Sequence, residues 1–145
     1  MGNVQLEQLE KYGMYVSAPR GTSMYPMIRQ GKDVVEIQKL SRKPKRYDVV
    51  LYIRGESQGV IHRVLYWKND ICVICGDNCW QKEYVQPEQI KGIVTKFYRK
   101  GKWHSLDEKK YKMYVHVWTD GFFFRRLLFY VRDKLKYRLR TSKDK

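Results

Sequence analysis

The sequence predicts a mainly β protein: one compact antiparallel β domain, with a short N-terminal helix before it and a basic amphipathic helix after it. Two observations carry that reading. Six short runs rich in β-branched and aromatic residues, MYVSA (14–18), DVVEI (33–37), DVVLYI (48–53), GVIHRVLYW (59–67), DICVIC (70–75) and IKGIVTKFY (90–98), follow one another with turn residues between them, the pattern of an antiparallel β fold. Beyond Trp103 the texture changes, and in FFFRRLLFYVRDKLKYRLR the residues Phe124, Leu128, Val131, Leu135 and Leu139 recur every three or four positions while Arg125, Arg132, Lys136 and Arg140 recur on another side. That spacing marks an amphipathic helix.

The elements follow in order. Between Val4 and Tyr12, Leu6 and Leu9 stand among charged neighbours, as in a short amphipathic helix. After Gly13 the strands begin. Ser41 to Arg46 is a solvated connection in which Pro44 excludes a central strand. A length of 145 residues fits one domain with short extensions, and the change of composition places a β domain at 1–106 and a basic aromatic extension at 107–145. The final TSKDK reads as a frayed end.

Charge is the unusual quantity. Thirty Lys and Arg against fifteen Asp and Glu leave a net +15, which favours anionic surfaces, whether lipid, nucleic acid or acidic peptide. The last 25 residues hold nine of the cations against Asp133 and Asp144. The polar N-terminus lacks the apolar run of a secretory signal, and Met113 to Val131, the best spanning candidate, is interrupted by Asp120, Arg125 and Arg126. The expectation is a cytoplasmic or peripherally membrane-associated protein. Cys72, Cys75 and Cys79 are expected as reduced thiols. Their spacing on a strand running into a turn puts Cys72 and Cys75 on opposite faces, so neither a metal nor another cofactor is expected.

Five short motifs suggest chemistry. GTSMYPM (Gly21 to Met27) sets Ser23 at an exposed bend after an apolar strand. It is followed by DVVEI, by YDVVLY (Tyr47 to Tyr52), by VIHRVL (Val60 to Leu65) and by ICGDN (Ile74 to Asn78). In that order the segments resemble the signal peptidase I superfamily of serine proteases over roughly Val16 to Phe97. The branch they resemble is that of the endoplasmic-reticulum and archaeal enzymes, in which histidine stands where most bacterial members have lysine. The resemblance implies a β domain of the signal peptidase/LexA-like type and a serine endopeptidase that cleaves a peptide leader or precursor.

The resemblance assigns roles residue by residue. Ser23 is the nucleophile, and His62 the base that takes its proton and later gives it to the leaving amine. On its strand, Val60, His62 and Val64 share one face while Ile61, Arg63 and Leu65 share the other. Arg63 is given no chemistry. Lysine serves as base elsewhere in the superfamily, but Lys68 and Lys82 lie beside turns where water keeps them charged.

The acid that orients the imidazole is either Asp77, in the Gly-Asp-Asn turn, or Glu83, six residues on, where the Ser-His branch has an aspartate. Glu83 reads otherwise as a surface charge facing Lys82. The backbone amide of Ser23 is the first oxyanion donor. Many relatives add a serine hydroxyl two positions before the nucleophile; that position is Gly21 here, leaving Thr22 as a stand-in. Pro26 stiffens the serine turn and biases Tyr25 toward an extended backbone. Met24 reads as an apolar plug that also reaches a substrate subsite. The resemblance further implies small residues at the cleavage site, bound as an extended strand beside MYVSA.

Two alternatives stand beside this reading. One is a catalytically degenerate peptidase fold that binds an anionic membrane surface or nucleic acid through its basic face, although no nucleic-acid-binding signature is present. The other is a self-cleaving, repressor-like member of the superfamily, which uses a lysine base and carries a DNA-binding half; the chain shows neither. For the C-terminal helix, the apolar residues either pack on the β domain with the cations in water or lie in the headgroup plane of an anionic bilayer.

Overall fold

The computed structural model describes residues 2–143. Eleven elements follow in order: α1 (Gly2–Tyr12), β1 (Met14–Ser17), β2 (Val34–Lys39), β3 (Val49–Arg54), β4 (Gln58–Lys68), β5 (Ile71–Cys75), β6 (Glu83–Val85), β7 (Ile90–Arg99), β8 (Lys102–Ser105), α2 (Lys109–Asp120) and α3 (Phe122–Lys143). A 3-10 turn, Pro87–Gln89, leads into β7.

All pairings are antiparallel. The strands run in the order β1-β2-β7-β3-β4-β5-β6, with β8 added to β7. The sheet curls into a half-barrel, and the three helices make the whole a mixed α/β fold with about 35% strand. The expectation of a mainly β protein therefore holds only in part, because three helices stand beside the antiparallel sheet. The frayed end expected at Thr141 to Lys145 is helical as far as Lys143, and its last two residues lie outside the described part of the chain.

Alternation along β3 explains the core. Val49 and Leu51 pack into one apolar cluster, with Leu9 of α1, Met24, Met27, Ile37 and Phe97, whereas Val50 and Tyr52 pack into a second, with Val64, Cys72, Ile74 and Ile90. Both faces of the central strand are therefore covered, which is why DVVLYI is an almost unbroken apolar run rather than an alternating one. Burying each such valine or leucine contributes about 1.5–3 kcal/mol.

Tight turns set the registers. Asn69 and Asp70, both at positive φ, join β4 to β5, and Lys100 and Gly101, also at positive φ, join β7 to β8, the two-residue geometry that matches strand twist. Between β3 and β4, joined by Gly55 to Ser57, the register places Val50 opposite His62 and Val49 opposite Arg63. The two neighbours on β4 thus face opposite sides of the sheet, as the alternation predicts.

The extension at 107–145 is two helices, not one. The chain reaches Gly121 at the end of α2, and Gly121 N–H closes on Val117 O. Trp118 of α2 donates its indole N–H to the Asp77 carbonyl at 2.7 Å, and Arg125 of α3 donates to the same oxygen at 3.0 Å. Both helices are fastened to the turn that follows β5.

Candidate active site

Ser23 sits in the turn between β1 and β2. Met24, Met27 and Ile28 plug that turn into the first apolar cluster, and Ile28 N–H bonds to Met24 O at 2.9 Å. On one side Arg99 of β7 donates to the Pro26 carbonyl at 3.2 Å. On the other, the backbone N–H of Asn78 donates to Ser23 O at 2.8 Å and the Asn78 side-chain amide to Thr22 O at 3.1 Å. The serine loop is therefore strapped onto the Gly-Asp-Asn turn, and Arg132 of α3 holds Asn78 from behind by donating to its Oδ1 at 2.8 Å.

Gly76 explains why the strap can be so short. A Cβ there would lie 2.5 Å from Ser23 O, 2.9 Å from Cys79 Sγ and 3.0 Å from His62 Nε2. Only a residue without a side chain lets the serine turn, the imidazole and the thiol rest against one stretch of backbone. Ser23 and His62 consequently line the same cleft, of about 1240 Å³, together with Glu83 and Met24.

His62 is buried on β4. Its Nδ1 lies 3.2 Å from Glu83 Oε1 and 3.3 Å from the Tyr52 hydroxyl, and Tyr52 in turn donates to Glu83 Oε2 at 2.7 Å. Arg54 Nε donates to the same oxygen at 3.0 Å. A carboxylate facing Nδ1 assigns the ring proton to that nitrogen, which leaves the Nε2 lone pair turned toward Gly76 and the serine loop. The bond from His62, reinforced by Arg54 and Tyr52 and opposed by burial, holds the Glu83 carboxyl at about 2, below its usual 4.5. Burial and the neighbouring Glu83 raise the Tyr52 pKa, so its phenol stays a donor.

Asp77 does something else. Arg63 grips its carboxylate with two bonds, Nε to Oδ1 at 2.8 Å and Nη2 to Oδ2 at 2.7 Å, and the Tyr114 hydroxyl adds a third at 2.6 Å. Both partners of the ion pair are almost wholly out of water. Burial pulls the Arg63 pKa down, but the adjacent Asp77 more than restores it, so the guanidinium remains charged. Of the two acids open at the level of sequence, the one that reaches the imidazole is Glu83. Asp77 follows Arg63 to the opposite face of β4 and cannot orient His62 from there.

Other site expectations fare differently. Lys82 does not face Glu83; it donates to the Tyr66 hydroxyl at 3.1 Å and lies over the Phe122 ring. Gly21 has φ +89°, a conformation that disfavours a serine, so the missing hydroxyl follows from the backbone. Thr22 is exposed and engages Asn78 through its carbonyl. Pro26 is joined to Tyr25 by a cis peptide. Three residues with no assigned part, Tyr52, Arg54 and Cys79, frame the site. Tyr52 and Arg54 were legible only as alternate positions on a strand opposite the one bearing His62.

Compared with known proteins, the chain matches no family model, no curated protein and no solved structure.

Proposed function

We propose that the protein is a serine endopeptidase with a domain of the signal peptidase/LexA-like type, in which Ser23 attacks, His62 carries the proton and Glu83 steadies the imidazole. The observation that carries the reading is the Glu83–His62 bond together with the convergence of His62 Nε2 and the Ser23 carbonyl over Gly76. The motif order that resembles the Ser-His signal peptidases supports it independently.

The chemistry follows from the arrangement. As Ser23 Oγ bonds to the scissile carbonyl carbon, its proton passes to His62 Nε2, and Glu83 stabilises the imidazolium. Collapse of the tetrahedral species breaks the C–N bond, His62 protonates the departing amine, and an acyl-serine remains. Water, losing its proton to His62, then releases the carboxylic acid and restores the serine. The Ser23 amide serves the developing oxyanion. A substrate segment fits as an extended strand on β1, which among the described residues pairs only with β2 and so leaves its other edge unpaired, with Ser17 and Ala18 at the cleft wall.

The test is cleavage of a peptide library read by mass spectrometry, with a serine-acylating probe in parallel. The wild-type protein cleaves and is labelled at Ser23; Ser23→Ala, with an unchanged circular dichroism spectrum, does neither. Equal cleavage by the Ser23→Ala protein refutes the proposal.

A further inference from the structure

Composition leaves the orientation of α3 open, and two of its cations turn inward. The helix meets the domain with cations: Arg125 is buried against Asp77, and Arg132 reaches Asn78. Burial lowers the Arg125 pKa, the cost of taking a guanidinium out of water. Phe122, Phe129 and Tyr130 pack beside these cations, against Arg125, Trp118 and Trp80, but a second set of apolar residues points the other way. Phe123, Phe124, Leu127, Leu128, Val131 and Leu135 are between 45% and 74% exposed. At 100° per residue they occupy one side of the helix, and that side has no cover among the described residues. Of the two arrangements open for this helix, Phe122 and Phe129 follow the one that packs on the domain, whereas the leucines do not.

A stripe of this kind on a 22-residue helix is larger than the scattered apolar residues of an ordinary surface, and its surroundings choose the occupant. Lys134 and Arg138 lie on or beside it, Arg126, Lys136 and Arg140 are exposed nearer the domain, and the chain as a whole carries +15. A second copy pairing through the stripe would bring like charges together. An anionic bilayer satisfies both features: the aromatic and leucine side chains enter the acyl boundary while lysine and arginine stems reach up to the phosphates. No helix among the described residues is long and apolar enough to cross a membrane, so the fit is to a helix lying in the interface.

We propose that α3 seats the protein on an anionic lipid surface through this outward stripe. Arg126 and Asp133 of the same helix line the Ser23 cleft, so docking would hold the cleft close to the headgroups. The inference goes beyond the peptidase reading and stands without it.

Vesicle flotation tests it, using phosphatidylcholine vesicles with and without phosphatidylglycerol. The wild-type protein is expected to float with the anionic vesicles and much less with the neutral ones. The Phe124→Ser/Leu128→Ser/Val131→Ser protein, whose replaced side chains are at least 45% exposed, should lose at least about tenfold in partition. Lys134→Gln/Arg138→Gln should lose less, and its deficit should shrink as salt is raised. Absence of flotation, equal flotation on neutral vesicles, or flotation indifferent to the triple serine change overturns the proposal. So does a concentration-dependent dimer abolished by the triple change without any vesicle binding, which would assign the stripe to a second copy. Cleavage of a soluble peptide without vesicles, run on the same samples, should be equal in wild type and stripe variants; failure there bears on the peptidase reading alone.

Discussion

His62 and Arg63 are adjacent on β4, yet they belong to two regions that treat charge in opposite ways. On one face, Arg63, Asp77, Tyr114 and Arg125 form a closed hub in which the Asp77 carboxylate is fully engaged and sealed from water. On the other, His62, Glu83, Tyr52 and Arg54 form a network that opens at one end, where Nε2 meets the cleft. The residue types are alike, two acids with basic and phenolic partners. What separates structure from chemistry is access: the Asp77 hub is sealed, and even the unpaired Arg125 Nε within it meets no solvent, whereas the free nitrogen of His62 opens on the cleft, where a proton can be exchanged.

That contrast can be broken from either side. The largest effect is expected on the open face. His62→Ala should abolish peptide cleavage, by about 10⁴-fold or more if the serine and histidine act as a unit, while midpoint unfolding in urea shifts little. A His62→Ala protein that still cleaves would place the base elsewhere. Next comes the closed face. Arg63→Met strands the Asp77 carboxylate, and breaking a buried pair in this way costs about 3–5 kcal/mol; a fall of that size in the unfolding free energy from urea titration measures it, and an unshifted midpoint would show that the hub is not what fastens the helices.

The smallest effect sharpens the comparison. Because the folded Glu83 carboxyl sits at about 2, below its ordinary 4.5, its contribution to stability is present above 4.5 and is lost as pH falls from there toward 2. Glu83 is partly exposed, so solvent screening limits the loss to about 1 kcal/mol. Glu83→Gln should flatten that part of the stability–pH curve and also slow cleavage by weakening the hold on the imidazole. Wild-type and Glu83→Gln curves that run parallel between pH 4.5 and 2 would contradict it.

Much of this was legible in the order of the residues. The six strand runs, the N-terminal helix and the alternation that puts His62 and Arg63 on opposite faces all follow from local periodicity, and the serine and histidine are proposed from the motif. The shortest strands did not: β6 is only Glu83–Val85, and β8, Lys102–Ser105, is mostly polar, so neither carries a readable period. Asp77 lies in the turn after β5 and Glu83, six positions on, opens β6, and which face of β4 each reaches depends on the path of the chain between them. The C-terminal helix shows a third limit. Spacing located its two sides correctly, but a carbonyl at Asp77 that accepts Arg125 decided which side turned inward, and no window of sequence within the helix contains that oxygen.

The bare backbone at position 76 has a consequence of its own. With a hydrogen there, two parts of the chain that are 39 positions apart rest against a common stop. The smallest other side chain, an alanine methyl, would act as a shim, prising the loop from the strand while the rest of the sheet stayed in place. Reactivity could be switched off at that position without taking away any reacting group.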